Sequence, residues 1–164
     1  MDDAMRAMLL RRLAAPLEGR GTFRGFSGRL LVAVQGGSFA EGIEWPPGVL
    51  SGVIVVGPGL PRMGYEQELH RHYFEEHYGR GFEYAYLYPG LARVIQAAGR
   101  LIRRFEDQGV IVLVGERFSE RPYVDLLPRD WYDHRPHELI VDDLEQALRA
   151  FWTEQAVSSS VLSS

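Results

Sequence analysis

Three short apolar runs set the pattern of the chain. Arg29–Val34, Ser51–Val56 and Val110–Val114 are almost continuously apolar, which is typical of parallel strands covered on both faces. Glu18–Gly28, before the first run, is rich in Gly and Arg and predicts a loop. Strands separated by helical segments predict an α/β fold with a parallel sheet and helices on both faces.

The segment between the second and third runs has helical spacing. Residues 63–78 place Tyr65, Leu69 and Tyr73 at i, i+4 and i+8 among good helix formers. Gly79 and Gly81 then predict the end of this helix.

Helices are also predicted near both ends of the sequence. Residues 2–14 begin with Asp and continue with Ala, Met, Leu and Arg, which favour a helix. Asp142, followed by Glu145, resembles a capping box and predicts a helix over Leu144–Gln155. Residues 156–164 are small and polar and predict a flexible tail, so the predicted domain covers residues 1–155.

Val94–Arg104 combines an apolar and a polar face if it is helical. Its predicted apolar face consists of Leu91, Val94, Ile95, Ala98, Leu101 and Ile102. Gln96, Arg100 and Arg103 then fall within an arc of roughly 60° on the opposite side, since each residue advances about 100°. Pro89 fits the first turn of this helix. The polar stripe is either a face that meets an anion or an Arg-rich solvated face.

Composition excludes several classes of chemistry. The 164 residues include no Cys and no Lys, and all 18 basic residues are Arg. Thiolate metal sites and a thiol nucleophile are therefore excluded within the sequence, as are Schiff-base chemistry and a P-loop lysine. The net charge of −4 gives no general sign of nucleic-acid binding, although six arginines in residues 1–40 leave room for a local basic surface. No apolar run approaches the ~20 residues of a membrane span, so we expect no membrane partner and, by default, a cytoplasmic location.

Gln35–Glu44, which follows the first apolar run, contains three glycines, a serine and two carboxylates. Glycines let backbone N–H groups approach a phosphate, and Ser38 could donate another hydrogen bond. Glu41 or Glu44 could accept one from a sugar hydroxyl. The alternative is a tight turn without a ligand.

Other polar and aromatic residues favour structural interpretations. His70 and His72 would point to opposite sides of a helix, and no H-E-x-x-H spacing occurs, so with His77 they predict a solvated helix face and no metal site. Aromatic residues concentrated in Tyr73–Tyr88 could stack on bases, but packing is the commoner role. No serine lies in a nucleophile elbow.

Several segments together resemble the Rad3/XPD and DinG group of superfamily 2 DNA helicases. S-F-A-E-G-I-E at residues 38–44 is similar to helicase motif V, and Q-A-A-G-R-L-I-R at residues 96–103 to motif VI, Q-x-x-G-R-x-x-R. Between and after them come V-I-V-V-G-P-G-L-P, Y-A-Y-L-Y-P, D-Q-G-V-I-V-L, E-R-F and L-L-P-R-D-W in the order found in the group. The resemblance covers about residues 29–150.

In this group an ATPase is divided between two RecA-like domains, and the chain resembles the second. The resemblance implies that Arg100 and Arg103 act as arginine fingers on the γ-phosphate and that Gln96 lines the nucleotide cleft. Gly42 and Glu44 would lie near the nucleotide, with Glu44 standing where the group usually has Asp. The DNA backbone would contact three residues, which are Gly36, Gly37 and Ser38.

The resemblance also implies which parts of the enzyme lie elsewhere. Walker A, Walker B and the cysteines of an Fe–S domain do not occur in the sequence. ATP and Mg²⁺ would bind mainly to the first domain and not tightly to this chain, which is expected to be inactive alone. The predicted partners are that first domain and single-stranded DNA. The RecA-like sheet is expected to be incomplete on its N-terminal side, and an exposed sheet edge would favour self-association.

Two other function classes compete with a 5′–3′ helicase motor domain. One is a free-standing nucleic-acid-binding or protein-interaction module that retains the fold without catalysis. The other is a small-molecule α/β enzyme, which is disfavoured because no nucleophile and base can be paired in the sequence.

Overall fold

The computed structural model describes residues 7, 8, 11, 22–23, 26–27, 30–37, 49–102, 104 and 106–161. Its strands are β1 (Thr22–Phe23), β2 (Phe26–Ser27), β3 (Gly52–Val56) and β4 (Val110–Val114). Its longer helices are α1 (Tyr65–Tyr78), α2 (Tyr88–Ala98) and α3 (Leu144–Val161). A π-helical segment spans Glu83–Leu87, and four 3₁₀ turns span Glu116–Ser119, Val124–Leu126, Arg129–Trp131 and Pro136–Leu139.

Contacts divide the chain into two compact units. One unit comprises residues 1–55 and 92–112, and the other residues 56–91 and 113–164. Among the described residues, no helix is long and apolar enough to cross a membrane.

β3 and β4 form a two-stranded parallel sheet. The Val110 N–H donates to the Ser51 carbonyl (3.2 Å), and the Gly57 N–H donates to the Val114 carbonyl (2.9 Å). Both partners advance together along the sequence, so β3 and β4 run parallel, as predicted. With its helices this sheet confirms a partial RecA-like α/β fold.

The prediction of a third strand at Arg29–Val34 is wrong for its described residues. Residues 30–34 have irregular backbone, and Leu30, Val32 and Val34 are at least 80% exposed. An apolar run becomes a buried strand only when neighbouring strands and a covering layer supply hydrogen bonds and contacts. These residues lack that cover in the described structure.

The strands that do form are also less covered than their sequences predict. Val55 is 3% exposed, whereas its neighbours Ile54 and Val56 are 62% and 72% exposed. Most of β4 is half-buried. A sheet of two strands shields less surface than the full parallel sheet for which continuous apolar runs are typical.

Two strands form in the segment predicted as a loop. β1 and β2 pair antiparallel, with Thr22 opposite Ser27 and Phe23 opposite Phe26. In the predicted N-terminal helix, the described residues Ala7, Met8 and Arg11 are helical.

α1 confirms the predicted helix and packs on the segment that leads into α2. It ends at Gly79, whose φ of 62° is the left-handed conformation that glycine adopts readily. The Tyr86 hydroxyl donates to Glu68 (2.6 Å), which also accepts from Arg71 (2.8 Å). Gly81 allows close packing, since a Cβ there would lie 2.4 Å from the Arg71 carbonyl.

Pro89 lies in the first turn of α2, as predicted, but α2 continues a longer helical stretch. Residues 81–82 are helical, a π-helical segment follows, and α2 continues from Tyr88. In a regular α-helix Pro89 would be the donor to the Ala85 carbonyl, but proline has no N–H. The Gln67 side-chain amide donates to that carbonyl instead. The wider π turn is a common way to accommodate such an interruption.

The last helix begins where it was predicted but has a different cap. The Asp143 carboxylate accepts from the Gln146 N–H (2.9 Å), so Asp143 and not Asp142 is the N-cap. An N-cap side chain accepts from the N–H two or three residues later, and Asp143 does so at Gln146 while its carbonyl accepts from the Ala147 N–H (3.1 Å). α3 also runs past Gln155 to Val161, while the flexibility of residues 156–164 and the domain extent of residues 1–155 stay predictions.

Candidate functional site

The residues before motif V form a tight turn. The Gly37 N–H donates to the Val34 carbonyl (2.9 Å), and Gly36 has a φ of 79°. A positive φ at the third position is typical of a type II turn and favours glycine. A Cβ on Gly37 would lie 2.9 Å from the Val34 carbonyl oxygen. The turn therefore requires both glycines, whether or not a ligand approaches them.

Motif VI begins on α2 and continues beyond the end of this helix. Gln96 is exposed in the last turn, whereas Arg100 follows the helix and is half-buried. The predicted helix over Val94–Arg104 is therefore wrong for the described residues beyond Ala98. Gly99 explains the end of the helix because glycine is a poor helix former and is enriched just past helix ends.

The chain tightens where α2 ends. The Gly99 N–H still donates to the Ile95 carbonyl (2.8 Å), but the Leu101 N–H donates to Ala98 (3.0 Å), three residues back. In such a turn each residue advances about 120° rather than about 100°. Gln96 and Arg100 therefore share a helix end and not the continuous helical face that was predicted, while Arg103 lies outside the described residues.

Leu101 anchors this helix end. Its side chain is 5% exposed and approaches the backbone at Gly109, where an added Cβ would lie 2.7 Å from the leucine Cδ1. The same Cβ would lie 2.9 Å from the Ser51 carbonyl oxygen. The apolar face of α2 is thus confirmed through Leu101, but Ile102 is 47% exposed and is not part of it. Burial of Leu101 holds the backbone of Arg100 in place.

Half of the predicted site residues lie in the described structure. Gly36 and Gly37 share one turn, and Gln96 and Arg100 share one helix end. Their roles toward nucleotide and DNA stay predictions. Four predicted residues lie outside the described part of the chain, which are Ser38, Gly42, Glu44 and Arg103.

Aromatic and histidine residues of α1 are largely at the surface. His70, His72 and His77 are exposed, as predicted, and His77 stacks on Tyr73 with ring centroids 4.2 Å apart. Phe74 stacks on Tyr84 at 5.0 Å. The described residues hold no group of three or more His, Asp or Glu arranged for a metal ion.

Sequence reasoning missed a basic cleft after β4. An open cavity of about 410 Å³ is lined by Arg121, Asp125, Arg129, Tyr132, His134, Arg135, Pro136 and His137. The available signal was the density of Arg and His in residues 121–137, a segment that contains three prolines, because prolines disfavour one regular helix through the segment.

Comparison with known proteins gives the family. Residues 12–134 match the family described as "Helicase C-terminal domain". The chain is 33% identical over 108 residues to "ATP-dependent DNA helicase DinG" of Photobacterium profundum, covering 62% of this chain and 16% of that protein. It is 31% identical over 147 residues to human "Regulator of telomere elongation helicase 1", covering 84% of this chain and 11% of that protein.

The matched region is thus a small part of each relative, yet the family match extends over most of this chain and includes both motif segments. It agrees with the order of motifs in the sequence and with the partial RecA-like fold. The chain belongs to the helicase C-terminal domain family, as a C-terminal domain of the Rad3/DinG type of superfamily 2.

Proposed function

We propose that this chain is the second motor domain of an ATP-dependent 5′–3′ DNA helicase. Arg100 and Arg103 would reach the γ-phosphate held by the first RecA-like domain, with Gln96 in the same cleft. Gly42 and Glu44 would lie beside the nucleotide, and Gly36, Gly37 and Ser38 beside single-stranded DNA. ATP, with Mg²⁺ as its metal cofactor, would be held mainly by the first domain of the two-domain enzyme.

The observation that carries this proposal is the ordered pair of motifs V and VI inside a family match over residues 12–134. Motif VI alone supplies two arginines and an amide, which suit a phosphate because guanidinium groups form charge-assisted hydrogen bonds to its oxygens. Motif V adds glycines and a carboxylate. The two motifs in this order support a domain that contacts both the nucleotide and the DNA.

The geometry at the end of α2 supports a role for Arg100 in a cleft between domains. Its backbone is fixed between the helix end and buried Leu101, while Gln96, one turn earlier, is exposed. A rigid attachment with an accessible polar side chain beside it suits a group that must meet a phosphate supplied by another domain.

The test is reconstitution. The chain is mixed with the first RecA-like domain from the same source, and ATP hydrolysis is measured with and without single-stranded DNA. Hydrolysis that requires both polypeptides and rises with DNA is expected. A first domain whose turnover is unchanged by this chain would contradict the proposal and leave the non-catalytic binding module as the better account.

Direction of movement is tested separately. A reconstituted enzyme should unwind a duplex that carries a 5′ single-stranded tail and not one that carries a 3′ tail. Unwinding from the 3′ tail would refute the polarity while leaving the motor assignment intact.

A further inference from the structure

The cleft after β4 gathers basic groups that the motor motifs do not use. Its lining contains three arginines and two histidines against a single aspartate, and with the Glu138 carboxylate that binds the loop one positive charge is in excess even with both imidazoles neutral. The protein as a whole carries a net charge of −4. A local concentration of cationic donors on an acidic protein is an electrostatic site for an anion.

Two side chains form hydrogen bonds to the backbone that surrounds this cleft. Arg129 donates to the carbonyls of Tyr132 and Asp133, each at 2.6 Å. Glu138 accepts from the N–H groups of His134 and Arg135, each at 3.1 Å. The loop therefore presents its side chains from a fixed backbone, which lowers the entropy cost of ordering them around a ligand.

Arg129 and Glu138 hydrogen-bond to the backbone of the loop. In the described part of the chain Arg121 and Arg135 do not, so their guanidinium groups can contact a ligand. Arg129 also lies over the Tyr132 ring, with its guanidinium carbon 4.7 Å from the ring centre. Backbone hydrogen bonds, first of all from His134, hold the pKa of Glu138 below its ordinary value, so its carboxylate stays charged and bound to the loop. Arg121 and Arg135 are the cationic groups left to line the cleft.

Arg121 is only weakly neutralised. It pairs with Asp125 at 3.2 Å, but its side chain is 80% exposed. Exposed ion pairs of this kind contribute little free energy, so a multiply charged oxyanion can recruit the guanidinium. Guanidinium forks match the oxygens of a phosphate better than a single carboxylate does.

We propose that this cleft binds a phosphate group through Arg121 and Arg135, assisted by His134 and His137. Its volume of about 410 Å³ lies within the range of roughly 300–1,000 Å³ found for small-molecule sites, so it can hold a nucleotide around the phosphate. The phosphate belongs to single-stranded DNA or to a free nucleotide. The site uses residues other than the proposed arginine fingers and would add to the phosphate contacts proposed for motifs V and VI.

Binding by the full chain tests this directly. Inorganic phosphate and dTMP are titrated by calorimetry, and a fluorescein-labelled dT12 by anisotropy, at matched ionic strength. The double variant R121Q/R135Q should lose about tenfold or more in affinity, since it removes charge-assisted hydrogen bonds to the ligand. The matched control is Arg149→Gln, because Arg149 forms an i,i+4 ion pair with Glu145 (2.7 Å) outside the cleft. It should bind within twofold of the wild type.

A second measurement needs no variant and so does not depend on its folding. Diethyl pyrocarbonate modifies exposed histidines, and mass spectrometry measures the extent at each one. Phosphate should protect His134 and His137 but not the exposed His70 and His72 of α1. Protection by phosphate, dTMP and dT12 identifies the DNA backbone as ligand, and protection by the small molecules alone identifies a free nucleotide.

Both of those outcomes support a phosphate site and differ only in its source. Equal modification of all four histidines with and without each ligand would overturn the proposal, as would unchanged affinity in R121Q/R135Q. Neither measurement involves ATP hydrolysis, so failure here is distinguishable from failure of the motor assignment.

Discussion

Gln67 should stabilise the helical stretch that carries motif VI, and its replacement tests that packing. Its side-chain amide donates to the Ala85 carbonyl, which Pro89 cannot satisfy in the regular helical pattern because it has no N–H. Ala85 is only 2% exposed. Gln67→Leu keeps the size of the side chain but removes the donor, so a buried carbonyl loses a partner that water cannot easily replace.

The expected cost follows from that burial. A buried acceptor left without its partner costs about 1–3 kcal/mol. Each kcal/mol lowers the melting temperature of a protein of this size by roughly 2–4 °C. Far-UV circular dichroism during heating measures the change. Gln146→Leu is the matched control because Gln146 is exposed on α3, and an exposed substitution should stay within about 0.5 kcal/mol.

Gln67→Glu adds a pH signature. At neutral pH a carboxylate would face the Ala85 carbonyl, so this variant should be less stable than Gln67→Leu. Acid protonates the carboxyl group, which can then donate, and the loss relative to the wild type should shrink as the pH falls. A Gln67→Leu melting temperature equal to that of Gln146→Leu, or a Gln67→Glu deficit independent of pH, would refute the packing argument.

Three further substitutions test other parts of the fold. Gly90→Ala should destabilise the protein by about 1–3 kcal/mol in urea denaturation, because a Cβ would lie 2.7 Å from the Pro58 carbonyl oxygen; unchanged stability would show that this approach is not tight. Asp143→Ala should cost about 1 kcal/mol by removing the cap of α3, measured as lost helicity on heating, and an unchanged transition would contradict the capping assignment. The hydrogen bond from Tyr86 holds the pKa of Glu68 below its ordinary value, so its stabilising effect is complete above the ordinary carboxyl pKa and is lost as the pH falls through the lowered one. Acid unfolding of Glu68→Gln should therefore depend less steeply on pH than that of the wild type, and identical pH profiles would argue against this contribution.

Local sequence signals predicted the bounds of some elements well. β4 has the bounds of its apolar run, and α1 ends at its glycine. The strand predicted at Arg29–Val34 failed because an apolar run specifies burial only when other elements supply the cover, and sequence pattern does not contain that information.

The sequence predicted the family of the candidate site correctly but not the backbone geometry at the end of α2. The order of motifs identified the family, but periodicity extended the α2 helix past Gly99. Leu101 remains buried in the tighter turn that follows Ala98. Over so few residues, its apolar character fits both the α-helical and the 3₁₀ period, so the sequence did not distinguish them. The basic cleft was missed because Arg121 and Arg135 are separated in sequence and line the same cavity through a succession of short turns. Neither the helical nor the strand period describes such a segment.

The central claim is that this chain supplies arginine fingers to an active site completed by another domain. The most direct measurement is DNA-stimulated ATP hydrolysis by the reconstituted enzyme with Arg103→Ala, alongside Arg104→Ala as the neighbouring control. Arginine fingers contribute about 10³–10⁵-fold in other phosphoryl-transfer enzymes, so Arg103→Ala should reduce kcat by a factor of that order while nucleotide binding stays largely intact and Arg104→Ala retains turnover. Full turnover in Arg103→Ala would contradict the account.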